Sequence, residues 1–372
     1  MALLALSHEI LHCIFSELDP ADLAPLSETC RDLTAYIRGN RLLHKGVYIS
    51  RYDEVEQVPE PDWEDEVHRS VKLEKILKSL DRDIKREHLD FVSQQIDSWL
   101  QTARTDPDKS ANIQLLSEYF EDQDNLDVFM CASSLFERGG TALQQAAATP
   151  ELRQASAKLH CLYGKPIDPV PSKRCSSSYA ISAFFTLRHV DVSTSPSANT
   201  RHQTRGIPAH TVARSKVYDL REYTDYTLWG PFMNDGSQNV DWEKVEAIML
   251  VLGFNLARFN ERANGEFYKW MPFHGATPQS YVTRPLPTNS AKELDDGMSE
   301  IRNLRSSLDA LDPYGVTGTW MRVVCFLDYN DLYAFNFSTP IPEDTPREPI
   351  DTQEGIIDLE ESVRTLSSDG TC

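Results

Sequence analysis

The sequence predicts a mainly α-helical protein with an α+β carboxy-terminal region. Apolar residues recur at helical spacing through residues 1–50 and again through residues 67–165, whereas aromatic and β-branched residues concentrate in short segments after residue 176. A chain of 372 residues is long enough for two or three domains of ordinary size. The length therefore accommodates both a helical part and an α+β part.

The first 50 residues carry the densest apolar pattern. One face of the first predicted helix holds large side chains, namely Ile10, Leu11, Ile14, Phe15 and Leu18. Asp19 and Pro20 end this helix, and a second apolar run starts at Asp22. Three short helices in so few residues bury little surface by themselves. Because the large aliphatic side chains outnumber what such a core can enclose, we expect an exposed apolar patch, which is typical of a partner-binding site.

Residues 51–66 are predicted to form an acidic linker. Within them, residues 53–66 contain eight acidic residues, two prolines and no basic residue. Such a composition does not bury enough apolar surface to pack tightly. Residues 67–165 are predicted to form a helical domain, with apolar stripes at helical spacing along its length.

Residues 176–340 are predicted to form the α+β region. A loop near residues 189–211 is rich in Ser, Thr and Pro and is expected to be disordered. Residues 341–372 are predicted to be a flexible tail.

Three elements are expected inside this region. Residues 217–232 are aromatic and interrupted by turn residues, which indicates short strands. Residues 241–259 suit a helix with Asp241 as its cap, although part of the segment also suits a buried strand. Residues 319–337 predict a β-hairpin, because two segments rich in aromatic and β-branched residues flank a turn-forming DYND sequence.

Charge and cysteine content exclude several classes of function. With 37 Lys and Arg against 57 Asp and Glu, the net charge of −20 repels nucleic-acid phosphates and anionic membranes, so neither is predicted as a partner. The seven cysteines form no C-x-x-C pair, which argues against a disulfide framework or a zinc knuckle. No apolar run reaches the roughly 20 residues of a membrane span. We expect a soluble protein of the cytoplasm, the nucleus or both.

One short motif matches a pattern that binds zinc in metallopeptidases. His8, Glu9 and His12 match H-E-x-x-H, in which two histidines bind zinc and the glutamate acts as a general base. A catalytic zinc needs three protein ligands, but Phe15 and Leu18 stand where the longer form of the motif has glycine and a third histidine. A zinc metallopeptidase is therefore the weaker alternative, and we predict no metal, no cofactor and no catalytic residue.

Residues 1–50, which include this motif, resemble an F-box. The matching elements occur in the order of the family pattern, namely Leu6, Glu9, Ile10, Leu11, Ile14, Phe15, Leu18, Asp19, Pro20, Asp22, Leu23, Leu26, Cys30, Arg31 and Leu33. The chain departs from the pattern twice. Ser7 stands where the family usually has proline, and His44 lies near a position where it often has tryptophan.

The resemblance implies a three-helix F-box at residues 1–50 that docks on the Skp adaptor of a Skp–cullin–F-box ubiquitin ligase. It places seven residues at or beneath that contact, namely Leu6, Ile10, Ile14, Phe15, Leu18, Leu23 and Leu26. The chain is then a non-enzymatic substrate-recognition subunit, which reaches cullin through the adaptor. On the same resemblance, the α+β region of residues 176–340 is expected to bind an unidentified protein substrate. A scaffold that binds the adaptor outside the ligase is a further alternative.

Segments farther along, such as residues 216–232 and 312–337, resemble a group of F-box domain-containing proteins of filamentous fungi. Members of that group usually continue with a further β-rich region after the segment equivalent to residues 346–350. The short tail of this chain is therefore expected to be a shortened or alternative ending.

Overall fold

The structure, a computed structural model, describes residues 6–55, 60–104, 106–139, 145–167, 207–262, 271–276, 324–342, 345–351 and 355–357. Several predictions fall outside these residues. They include most of the loop expected near residues 189–211, residues 319–323 of the expected hairpin, and most of the expected tail.

Four helices build the amino-terminal segment, namely α1 (His8–Ser16), α2 (Leu23–Thr29), α3 (Arg31–Ile37) and α4 (Arg41–Arg51). A 3₁₀ turn (Pro20–Asp22) precedes α2, and the Asp19 carboxylate caps it by accepting a hydrogen bond from the Ala21 N–H. The sequence predicts three helices here. The structure has one more within residues 6–51, because extended backbone at Cys30 separates α2 from α3.

The prediction of a helical middle is confirmed. Its elements are α5 (Trp63–Lys78), α6 (Arg82–Glu87), α7 (Leu89–Thr102), a 3₁₀ turn (Pro107–Lys109), α8 (Ala111–Tyr119), α9 (Gln123–Asn125), a π-helical turn (Leu126–Met130), α10 (Ser134–Arg138) and α11 (Pro150–Tyr163). Most helices begin at a side chain that accepts a hydrogen bond from the first turn, namely Asp62, Asp81, Ser110, Asp122 and Thr149. These caps satisfy backbone N–H groups that have no partner inside the helix.

The described part of the predicted acidic linker is packed instead. Tyr52, Asp53 and Val55 are buried, and α5 begins at Trp63, whose ring lies 5.5 Å from that of Tyr48. The acidic residues do not prevent packing, because those in the first turn of α5 lie at the positive end of the helix dipole. One apolar core consequently runs from α1 through α11.

The carboxy-terminal part consists of α12 (Ala209–Val217), a 3₁₀ turn (Leu220–Glu222), α13 (Trp242–Arg262), a 3₁₀ turn (His274–Ala276), β1 (Val324–Phe326), α14 (Tyr329–Phe337) and β2 (Gly355–Ile357). The predicted helix over residues 241–259 is confirmed as α13. Asp241 caps it as predicted, since its carboxylate accepts a hydrogen bond of 3.1 Å from the Lys244 N–H. An apolar cluster formed by α10, α12 and α13 joins this part to the helical middle.

For the described residues, the first strand of the predicted hairpin is confirmed as β1, whereas its second strand and the strands expected over residues 217–232 are wrong. β1 pairs antiparallel with β2, with Val324 opposite Ile357, whereas the expected second half of the hairpin forms α14. Asp328 starts that helix by accepting a hydrogen bond of 2.9 Å from the Asn330 N–H. Residues 217–232 form helical and tight turns, because an aromatic composition favours a strand only where a partner strand is available.

Candidate functional site

The amino-terminal helix exposes a row of large apolar side chains. Leu6, Ile10 and Ile14 are 38%, 49% and 40% exposed, and they follow one another at intervals of four residues. Residues four apart lie on the same face of a helix, so Ile10 and Ile14 share one face of α1, and the exposed Leu6 lies two residues before the helix begins. We call these three residues the apolar row.

The opposite face of α1 holds the helix in place. Leu11 and Phe15 are buried, and the Phe15 ring meets the Tyr36 ring of α3 edge-on at 5.6 Å. Burying side chains of this size stabilises each contact by about 1.5–3 kcal/mol. The helix therefore presents the apolar row on a surface that is fixed from beneath.

The seven predicted adaptor-binding residues fall into three groups. Leu6, Ile10 and Ile14 are exposed; Leu18 and Leu26 are half-buried against the core; Phe15 and Leu23 are buried. The structure therefore divides these residues into an accessible row, a partly accessible margin and a buried supporting layer.

The two departures from the F-box pattern have local explanations. Ser7 adopts φ −66° and ψ 156°, a conformation that proline also adopts. His44 is buried in α4 with its Nε2 3.1 Å from the Ile37 carbonyl oxygen, and burial lowers the pKa of His44. Because His44 points into the core, it takes no part in the apolar row.

The H-E-x-x-H residues lie at the start of α1. The His8 ring stacks on Tyr36 with 5.5 Å between centroids. Hydrogen bonds from the Glu9 backbone N–H and from Ser7 lower the pKa of Glu9, as expected for a carboxylate at a helix start. Within the described ranges, no three His, Cys, Asp or Glu side chains are grouped to hold a metal ion. The zinc alternative thus has no third ligand in that part of the chain.

A buried carboxylate connects the amino-terminal segment to the helical middle. Glu74 of α5 accepts hydrogen bonds from Arg51 Nε at 2.8 Å, Arg51 Nη2 at 2.7 Å, the Tyr52 hydroxyl at 2.6 Å, Lys78 Nζ at 3.0 Å and the Tyr119 hydroxyl. Burial alone raises the pKa of Glu74, but these hydrogen bonds outweigh it and lower the pKa to about 2. Glu74 is not among the functional residues that the sequence predicts. The i,i+4 spacing of Glu74 and Lys78 was its only local signal.

A second carboxylate, that of Asp53, also connects the end of α4 to the helical middle. Asp53 is buried and accepts hydrogen bonds from the Ser110 hydroxyl and from the Ala111 N–H at 3.0 Å. Its own N–H donates to Asn112 Oδ1 at 3.1 Å. Because Asp53 follows α4 and the other three residues begin α8, the apolar row belongs to one packed body with the helical middle.

The strongest remaining candidate for catalysis is a buried polar cluster. His160 Nδ1 lies 2.7 Å from Glu246 Oε1, and the Ser133 hydroxyl donates to Glu246 Oε2. In a nucleophilic triad the serine bonds to the imidazole, whereas here it bonds to the carboxylate. Burial also raises the pKa of the neighbouring Cys161 thiol, the opposite of what a thiolate nucleophile requires. The cluster joins α10, α11 and α13 and is best explained as structural.

Comparison with known proteins identifies the amino-terminal segment. A family model described as F-box-like matches residues 8–50, which span α1 to α4. No curated protein and no solved structure matches the chain. Where the structure describes the chain, every helix is too short or too polar to cross a bilayer.

Proposed function

We propose that the chain is a substrate-recognition subunit of a Skp–cullin–F-box ubiquitin ligase and that it docks on the Skp adaptor through residues 8–50. The observation that carries this proposal is the apolar row of Leu6, Ile10 and Ile14, of which Ile10 and Ile14 lie at the start of the F-box-like segment. Exposed apolar side chains grouped on one face of a soluble protein mark a site of contact with another protein.

The energetics of the apolar row support a docking surface. Covering the exposed part of three aliphatic side chains contributes on the order of 1 kcal/mol each. Leu18 and Leu26 are placed to add to the contact at its margin, because each is only half-buried. Phe15 and Leu23 contribute indirectly, since they hold α1 and α2 on the core.

The proposed mechanism is proximity. Holding a substrate protein near a ubiquitin-charged enzyme raises its effective concentration without any catalytic side chain in this chain. The bonds of Glu74 and Asp53 suit this role, because they hold the docking helices rigidly to the helical middle. On this proposal the carboxy-terminal part binds the substrate and the protein works in the cytoplasm, the nucleus or both. Its relationship to the fungal F-box group rests on the sequence segments alone.

The test is capture of the Skp adaptor by the purified full-length chain. Changing Ile10→Asp together with Ile14→Asp places two charges in the apolar row, and we expect capture to be lost. Leu80→Asp is the matched control, because Leu80 is an exposed leucine in a different part of the chain. We expect that control to bind like the wild type. Thermal unfolding of each variant shows whether the fold is kept.

The outcomes separate the possibilities. If the doubly substituted chain is folded and still captures the adaptor, the docking surface is not the apolar row. If neither the wild type nor the doubly substituted chain captures the adaptor, the ligase proposal fails. Adding cullin to the complex completes the test, since an adaptor complex that never recruits cullin indicates a scaffold outside the ligase.

A further inference from the structure

The segment between α12 and α13 exposes a second group of large side chains. Tyr226, Leu228 and Trp229 are 69%, 51% and 68% exposed. They lie within four consecutive residues. We call residues 222–235 the Trp229 loop.

The backbone of the Trp229 loop is held in an unusual conformation. Leu228 and Trp229 have φ values of 48° and 57°, a left-handed region that residues other than glycine rarely adopt. Hydrogen bonds maintain it: the Trp229 N–H donates to the Thr224 carbonyl at 3.1 Å, and the buried Thr227 hydroxyl donates to the Glu222 carbonyl at 3.1 Å. Backbone strain of this kind concentrates at functional sites.

The hydrogen bonds inside the Trp229 loop reduce the conformational entropy that is lost when a partner binds. A loop that is already ordered loses little conformational freedom when a partner arrives. An isolated β-bridge between Phe232 and Val240 closes the segment on itself just before α13. The exposed side chains are therefore presented by a preorganised structure.

The chemistry around Trp229 favours a positively charged partner. The Trp229 indole N–H donates to Asp225 Oδ1 at 3.0 Å, which places a carboxylate at the edge of the exposed ring. Residues 222–241 contain four acidic residues and no Lys, Arg or His. The chain as a whole carries a net charge of −20, so the general field reinforces the local one.

We propose that the Trp229 loop binds a lysine- or arginine-bearing segment of a client protein. The cation lies over the indole face of Trp229, within reach of the Asp225 carboxylate, while Tyr226 and Leu228 contact the apolar stem of the basic side chain. Nucleic acids and anionic membranes are repelled by the same charges. This inference rests on the proposed function in one respect: the client is the protein presented for ubiquitination.

The test measures binding of a defined probe to the full-length chain by fluorescence anisotropy. The probe is a fluorescein-labelled peptide of alternating arginine and serine, and the comparison peptide carries glutamate in place of arginine. We expect the arginine peptide to bind and the glutamate peptide not to bind. The Asp225 carboxylate and the arginine side chains of the peptide are both exposed to solvent. Raising the salt concentration is therefore expected to weaken the binding.

Two substitutions locate the contact. Trp229→Ala is expected to weaken binding of the arginine peptide about three- to fivefold, the effect of removing one cation–π contact at an exposed site. Asp225→Asn removes the carboxylate and keeps the side-chain shape, and we expect about a twofold loss. Tyr329→Ala is the control, since Tyr329 is an exposed aromatic residue on α14. We expect that control to change binding less than twofold.

Each result bears on the proposal. Equal binding of the two peptides, or equal losses for Trp229→Ala and Tyr329→Ala, overturns it. The same chains are also tested for adaptor capture, where Trp229→Ala is expected to behave like the wild type. If adaptor capture fails for the wild type while peptide binding persists, the ligase role is wrong and the cation-binding surface stands.

Discussion

Replacing Glu74 with glutamine tests how strongly the amino-terminal helices are held to the rest of the chain. The Glu74 carboxylate accepts hydrogen bonds from Arg51, Tyr52, Lys78 and Tyr119, which lie on or next to three different helices. Glutamine has almost the same shape but carries no charge. It therefore removes the charge-assisted part of the network and leaves the Arg51 guanidinium with a weaker partner.

The expected magnitude follows from the pKa of Glu74, which falls from its ordinary value of 4.5 to about 2 on folding. Each pKa unit is equivalent to about 1.4 kcal/mol. The ionised carboxylate therefore contributes about 3 kcal/mol to the free energy of unfolding at neutral pH. Because the pKa is lower in the folded state, this contribution is complete above about pH 5 and declines as the pH falls from 4.5 toward 2. By pH 3 it is reduced to about half.

The assay is urea unfolding of the wild type and the Glu74→Gln variant at pH 7 and at pH 3. We expect the variant to be less stable by about 3 kcal/mol at pH 7, with the gap narrowing by about half at pH 3. Asp83→Asn is the control, because the Asp83 side chain is 90% exposed and its ion pair with Arg86 contributes little. A gap below about 1 kcal/mol at pH 7, or one of equal size at both pH values, refutes the reasoning.

Two further substitutions test the packing of the chain by urea unfolding. Asp53→Ala removes the acceptor for the Ser110 hydroxyl and the Ala111 N–H, and we expect a loss of about 2–3 kcal/mol, whereas the neighbouring Glu54→Ala is expected to be nearly neutral. Gly253→Ala adds a Cβ that overlaps the Pro166 ring, and we expect a loss of about 1–3 kcal/mol. Gly275→Ala, where a Cβ meets no atom within 4 Å, is its control. An unchanged midpoint for Asp53→Ala or Gly253→Ala contradicts the respective packing.

The site on α1 could be found from the sequence because its signal is local. Apolar side chains at helical spacing, followed by Asp19 and Pro20, define the first helix without reference to the remainder of the chain. The spacing does not show which side chains of this helix remain exposed. Ile14 and Phe15 are adjacent and both large, yet Ile14 faces solvent and Phe15 is buried, because α3 and α4 cover only one face of α1.

The errors in the strand predictions arise where a long-range contact overrides a local sequence pattern. β1 finds its partner at Gly355–Ile357, about thirty residues away, so residues 329–337 are free to form a helix after the Asp328 cap. Strand propensity expresses packing against neighbours more than a preference of the backbone itself. The sequence predicts short strands over residues 217–232, and nothing in it indicates that Trp229 is left exposed.

By itself, the sequence determined the helical class, the position of the amino-terminal F-box-like helices and the acidic character of the surface, since each depends on spacing or composition within a short window. Only the tertiary structure decided that Asp53 and Glu74 are buried links, that the segment around Trp63 is packed, and that the Trp229 loop is exposed. The physical reason is that burial and hydrogen bonding depend on residues far apart in the chain, which come together only when the helices pack.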